Sequence, residues 1–378
     1  MTEQDFIRRM PEASRDLRKR TRVWTRFRID LPLLIFLLVL TSYGLVILYS
    51  ASGESERYLR RQILFLCVAF AIMFTVAQVR LHALVRWAPW LWCIGVILLI
   101  LVMFFGVGAK GAQRWLSFMG FRFQPSEIMK VVLPIFVAAF LSQRHLPLQI
   151  KPICLSLVFI FLPTVLILQQ PDLGTSLLIA VSGLVVLFLA GIRWRYIIGA
   201  VGLMLASAWP MWQFVLRDYQ KRRILTLLNP EDDKLGAGWN IIQSKTAIGS
   251  GGLDGKGWMQ GTQSHLDFLP ESHTDFIIAV LAEEFGLYGV LSLIAIYLLI
   301  VVRGFVIAVN APNTFGRLLA GGITLTFFVY IFVNMGMVAG LLPVVGVPLP
   351  LVSYGGTSML TLMMGFGLLM AISTEKRH

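Results

Sequence analysis

The chain has 378 residues, 57% hydrophobic and only 14% charged, with a mean hydropathy of +0.76. A soluble protein carries nearly twice that share of charge, so a soluble fold is excluded, and repeated apolar runs of about twenty residues make an all-α polytopic membrane protein. The 33 Lys and Arg against 20 Asp and Glu, net +13, then read as cytoplasmic loops and contact with membrane lipids, and nucleic acid is not expected as a partner.

Residues 1–28 hold nine basic residues against four acidic ones. This arm is too long and polar for the n-region of a signal peptide, although Ser50-Ala51-Ser52 weakly imitates a cleavage site. It is expected to be an uncleaved cytoplasmic arm. Ten spans follow, at about 29–50, 61–79, 87–106, 126–143, 152–169, 173–191, 195–216, 275–302, 317–340 and 350–372. With the N-terminus inside, the short cytoplasmic connections hold Arg80 and Arg86, Arg144 and Lys151, Arg193 and Arg195, Arg303, and finally Lys376 and Arg377. That is the positive-inside pattern. It expects both termini in the cytoplasm, a single membrane domain over 29–373, a tail at 374–378 and a large external loop at 217–275. Cys67, Cys93 and Cys154 all fall in apolar runs and read as small core residues.

The external segment after the third span reads Gly108 to Leu116, then Arg122-Phe123-Gln124-Pro125-Ser126-Glu127-Ile128-Met129-Lys130. Glu127 and Lys130 are three apart, so on a helix they share a face and can pair. Arg114 beside Trp115 suits an interfacial anchor and equally a cation for a diphosphate. Gln169 to Gly174, with Asp172 inside it, joins two spans with almost no loop. Non-helical backbone at that depth survives only where it is buried in protein or lines a wet cavity.

Within the external loop, Glu231-Asp232-Asp233 reads as a solvated turn more readily than a metal site. The run Gly249 to Gly257 invites a phosphate-loop reading but lacks the first Gly and the magnesium-binding Ser/Thr; a flexible, closely packing loop is expected. Trp258 to Phe276 closes the loop on His273-Thr274-Asp275 and leads directly into an apolar run. Asp275 at the mouth of a span is a functional candidate, and a helix N-cap is the competing reading. Glu283 and Glu284 fall inside that span, and at least one should have a buried partner. Before the last span, Pro343, Pro348 and Pro350 with Gly346 interrupt the chain. Gly355, Gly356 and Ser358 suit either close helix packing or an anion or sugar cradle. These polar breaks on one side suggest an outward-facing cavity.

The motifs GAQRWL (111–116), FQPSEIMK (123–130), QPDLGTS (170–176), LGAGWNIIQSKTAIGSGGLDGKGW (235–258), FLPESHTDFIIAVLAEEFG (268–286) and GLLPVVGVPLPLVSYGG (340–356) resemble the SEDS family, in order and over nearly the whole chain. The resemblance implies a ten-span bacterial inner-membrane glycosyltransferase that polymerises lipid II into glycan strands for cell-wall elongation. It implies a class B penicillin-binding protein and other elongation proteins as partners. By position, Asp275 matches the family's essential acid, Glu127 and Lys130 a polar pair in its cavity, and Asp172, Ser353 and Thr357 other polar cavity positions. Ser272 departs from the basic residue that close relatives often carry there.

The chemistry fits the residues. A diphosphate leaving group needs cations and no protonating acid, and Arg114, Lys130 and Lys245 are candidates. An acceptor hydroxyl needs a general base, whereas a glycosidase needs a carboxylate pair. A divalent cation, Mg or Mn, is left open as a cofactor. A lipid II flippase, or a non-catalytic scaffold for wall enzymes, would use the same cavity without a positioned base.

Overall fold

The computed structural model describes residues 28–109, 112–118, 121–144, 148–216, 218–233, 236–262 and 272–375. The arm before Arg28, the stretch 263–271 and the last three residues of the expected tail lie outside the described residues. Ten apolar helices are present among them: α1 (Leu31–Ala51), α2 (Glu56–Ala77), α3 (Leu81–Phe105), α4 (Pro125–Ser142), α5 (Ile150–Gln169), α6 (Leu173–Leu189), α7 (Trp194–Pro210, continued by a π-helical turn, Met211–Val215), α10 (Ile277–Asn310), α11 (Thr314–Val338) and α12 (Gly356–Thr374). Nine are long and apolar enough to cross a bilayer, and α6 is the tenth, at 17 residues. All ten expected spans are helices. The described residues of the 217–275 loop hold two more α-helices, α8 (Asp218–Leu228) and α9 (Ala237–Gly251).

Burial sorts the helices. α4 is central, packed against α3, α6, α11 and α12. It, α11 and α12 bury most of their span windows. The small residues Gly321, Gly322, Gly365 and Gly367 let α11 and α12 approach their neighbours closely, as expected where hydrophobicity alone does not drive helix association. By contrast, α7 buries no residue at all. Lipid and protein interior are equally apolar, and this explains one correction: Cys67, Cys93 and Cys154 are exposed on the outer surface of the helices, not in the core.

Three differences from the sequence expectation bear on function. Residues 107–123 form a small antiparallel sheet, β1 (Val107–Ala109), β2 (Ala112–Phe118) and β3 (Phe121–Phe123), in the order β1-β2-β3. Arg303 is not in a connection; it lies within α10 and grips Asp30, the N-cap of α1, with two hydrogen bonds of 3.0 and 2.6 Å. And α10 is not one continuous span, because Gly286 takes φ +63° and breaks it.

Candidate active site

The proline-interrupted segment 340–355 makes no ladder of its own, and its polar backbone groups must find partners elsewhere. Side chains supply them. Asn334 of α11, fully buried, donates through Nδ2 to the carbonyls of Val347 (2.7 Å) and Asp275 (2.8 Å). Tyr297 donates to the Pro350 carbonyl at 2.7 Å, and Gln62 to that of Ser353 at 3.2 Å. Ser353 donates to the Thr274 carbonyl and accepts from the Leu349 amide at 2.9 Å. The Tyr354 amide reaches the His273 carbonyl at 2.9 Å, and Ser272 donates to the Ala51 carbonyl at 3.1 Å. Four consecutive residues, 272 to 275, are thus held one by one before α10 begins.

Asp275 is half-buried. Its Oδ2 lies 3.5 Å from where a Cβ on Gly346 would stand, so the carboxylate faces segment 340–355. The N-cap of α10 is Phe276, which has no side chain to cap with; Asp275 stands one residue outside it. His273, Tyr58 and Tyr354 form an aromatic group beside it, with ring centroids 5.1 to 6.2 Å apart.

Asp172 occupies a different setting. It is the N-cap of α6: Oδ1 accepts from the Thr175 amide at 3.2 Å and Oδ2 from Gln124 Nε2 at 3.1 Å. Arg114 on β2 stands 3.9 Å from the same Oδ2 and also donates to the Pro171 carbonyl. Two residues further on, the missing side chain of Gly174 lets the Val345 carbonyl come within 2.6 Å of a Cβ position. A side chain there would force the two segments apart, so glycine brings the start of α6 against the same 340–355 segment that Asp275 faces.

Glu127 and Lys130 pair across one turn of α4 at 2.6 Å, both largely buried. Thr361 of α12 donates to the other Glu127 oxygen at 3.1 Å, and Lys130 lies 5.6 Å over the Tyr330 ring. A cavity opens below them, lined by Lys130, Thr326, Tyr330, Ser358, Thr361 and Phe366 among others. Thr357, half-buried in the first turn of α12, lies one turn before Thr361. Lys245, exposed on α9, places its ammonium 2.7 Å from the Cβ position of Gly340. Ser244, its neighbour, ties α9 to the Val338 carbonyl at 2.9 Å.

Segment 340–355 is therefore where the candidates converge: Lys245 at its start, the Asp172 turn near 345, Asp275 at 346 and Ser353 near its end. The Glu127–Lys130 pair joins through α12. The Glu231–Asp233 stretch forms an exposed turn, in which Asn229 bonds Asp232 at 2.8 Å. Among the described residues no three His, Cys, Asp or Glu side chains gather as a metal cage. Asn334, Gln62 and Tyr58 were missed from sequence. A lone Asn within an apolar span was the available signal for the first. Arg57, Arg60 and Arg61 were also missed; they open α2 at the Asp275 end, where Tyr58 meets His273.

Comparison with known proteins identifies the family and the fold. The family FTSW_RODA_SPOVE, described as "Cell cycle protein", matches residues 30–378. The peptidoglycan glycosyltransferase MrdB of Escherichia coli K12 is 52% identical over 94% of this chain and 96% of its own. A probable peptidoglycan glycosyltransferase FtsW of Trichlorobacter lovleyi is 38% identical over 91% and 93%. Among solved structures, a chain from a peptidoglycan synthase complex superposes with a TM-score of 0.80 at 29% identity, covering 91% of this chain and 97% of that one. The rod shape determining protein RodA of Thermus thermophilus does so with 0.68 at 28% identity, covering 91% and 96%. A match across nearly the full length, by sequence and by fold, leaves one placement: this chain belongs to the FtsW/RodA/SpoVE family, the SEDS proteins that its motifs resemble.

Proposed function

We propose that this protein is a peptidoglycan glycosyltransferase that polymerises lipid II at segment 340–355, with Asp275 as its general base. The names of its relatives support the activity. The observation that carries the assignment of the base is the fixing of residues 272–275 one after another, which presents a half-exposed carboxylate from a backbone that cannot drift. A base must lie within hydrogen-bond reach of the proton it takes, and fixed backbone meets that demand.

In the reaction, Asp275 takes the proton of the acceptor sugar hydroxyl while its oxygen attacks the anomeric carbon of the donor. The bond from that carbon to the diphosphate breaks, and undecaprenyl diphosphate leaves with the electron pair. One in-line displacement inverts the anomeric centre. Lys130, Lys245 and Arg114 disperse the leaving group's charge, and Thr357 and the first amides of α12 offer donors beside it. Ser353, with its hydroxyl committed to Thr274 and Leu349, acts by holding the Asp275 turn. Glu127 pairs with Lys130 and orients it. A divalent ion such as Mg or Mn needs no protein cage, since Mg takes one or two carboxylates and fills its shell with water and substrate phosphates.

The chain works in the bacterial cytoplasmic membrane, with both termini inside and the 217–275 loop outside. Its partner is a class B penicillin-binding protein that cross-links the strands, a reading supported by likeness to a chain of a synthase complex that coordinates polymerization and crosslinking. The deciding experiment is lipid II polymerisation by purified Asp275→Asn protein. Loss of polymer with retained fold and lipid binding is expected. Near-normal polymer would overturn the base, and retained lipid translocation without polymer in the unmodified protein would favour a flippase.

A further inference from the structure

In a continuous helix the amides of Leu287 and Tyr288 would donate to the carbonyls of Glu283 and Glu284, four residues back. The break at Gly286 separates these four groups, and a single stretch of chain takes all of them. Leu287 donates to the Gly252 carbonyl at 3.1 Å and Tyr288 to that of Leu253 at 3.3 Å. In return Lys256 donates its amide to the Glu283 carbonyl at 3.0 Å and Gly257 to that of Glu284 at 2.9 Å. Residues 252–257 are thus inserted into the hydrogen-bond ladder of α10.

Side chains reinforce the insertion. Glu283 is fully buried and accepts from Lys256 Nζ at 2.6 Å, the Thr262 amide at 2.8 Å and the Thr262 hydroxyl at 3.0 Å. Ser50 of α1 donates to Glu284, and Trp258 lies 6.3 Å from Tyr49 on the same helix. A methyl group on Gly286 would run into the Leu253 carbonyl, and its φ of +63° is one that side chains resist.

We infer that residues 252–262 form a strap that holds α10 broken, and that Glu283 and Lys256 are positioning residues for glycosyl transfer. The inference rests on the reading of Asp275 as the base. The piece of α10 before the break, residues 277–285, is about 13 Å long, and Asp275 stands at its head. A change of about ten degrees in the bend at Gly286 therefore shifts residue 275 by roughly 2 Å, and misplacement by about 1 Å can cost 10²-fold in rate. Two arrangements are open to the chain. With the strap in, the helix is bent and Asp275 faces segment 340–355. With the strap out, Leu287 and Tyr288 pair with Glu283 and Glu284, the helix straightens and Asp275 moves. The strap also continues from α9, so the position of Lys245 is set together with that of the base.

The test uses the full chain in lipid nanodiscs with lipid II as substrate, and follows both turnover and amide hydrogen exchange. Gly286→Ala should lower kcat by about 10²-fold with little change in KM, while the amides of residues 256 and 257 exchange faster. Lys256→Ala should do the same to a smaller degree, and Lys256→Arg, which keeps a cation for Glu283, should restore most of the loss. Faster strap exchange with unchanged kcat would overturn the positioning role, as would equal losses in Lys256→Ala and Lys256→Arg. Unchanged exchange in Gly286→Ala and Lys256→Ala would overturn the strap itself. Should Gly286→Ala not fold, the Lys256 pair decides alone. Failure of the base reading appears separately, as polymer made by Asp275→Asn, and leaves the exchange results standing.

Discussion

Asp172 and Asp275 occupy the same place on paper, each a lone carboxylate just ahead of an apolar run. The structure holds them differently. Asp172 is spent on architecture: it caps α6, takes a hydrogen bond from Gln124 and neighbours Arg114, with its side chain 10% exposed. Asp275 stands one residue before the cap of α10, and the bonds around it hold its backbone, through Asn334, and those of its neighbours. A carboxylate that builds structure is held by its side chain. The proposed base has its backbone held as well, and it sits half-buried against segment 340–355.

The largest effect that sharpens this contrast is on turnover. Asp275→Asn preserves shape and removes the proposed base, so polymerisation should fall by roughly 10²–10⁴-fold while the melting temperature stays put. Breaking the buried pair of α4 comes next. Glu127→Leu strands Lys130 in a site where both side chains are largely buried, and removal of one partner of such a pair costs about 3–5 kcal/mol; a denaturant series on the membrane-reconstituted protein would measure it. Asn334→Leu should follow, because it leaves the Asp275 and Val347 carbonyls without their donor, at about 1–3 kcal/mol for each buried group. Turnover should drop along with stability in that variant, since the Asp275 turn is loosened. Unchanged turnover would show that the clamp is not what holds the base.

How much of this was legible beforehand depended on the distance over which each signal acts. The spans could be read because a run of about twenty apolar residues is a local pattern, and the Glu127–Lys130 pair because three residues on a helix share a face. Pro343, Pro348 and Pro350 announced the irregular segment. The partners of Glu283 could not be read: Lys256 and Thr262 lie 27 and 21 residues away, across a glycine-rich stretch with no periodicity. That stretch was expected to pack closely, and it does, though as an inserted strap rather than a flexible loop. The break at Gly286 was hidden as well, since a glycine inside an apolar span is common in membranes. Nor did any pattern separate lipid-facing helices from buried ones, and so α7 and α4 looked alike.

The smallest expected effect tests the other side of the contrast. Asn caps helices about as well as Asp, so Asp172→Asn should keep the bond to the Thr175 amide and lose only the oxygen that accepts from Gln124, at about 0.5–1.5 kcal/mol. Asp172→Ala removes the cap and should cost about 1 kcal/mol, with Gln124 and Arg114 losing a shared acceptor. If Asp172 serves architecture, turnover per folded molecule should be close to normal in the Asn variant. Its decline in the Ala variant should follow the shift of the α6 turn against Val345, which the close approach at Gly174 makes sensitive. A collapse of turnover in well-folded Asp172→Asn, comparable to that of Asp275→Asn, would break the comparison. It would mean that the negative charge of Asp172, beside Arg114, acts on the substrate or on an ion bound with it.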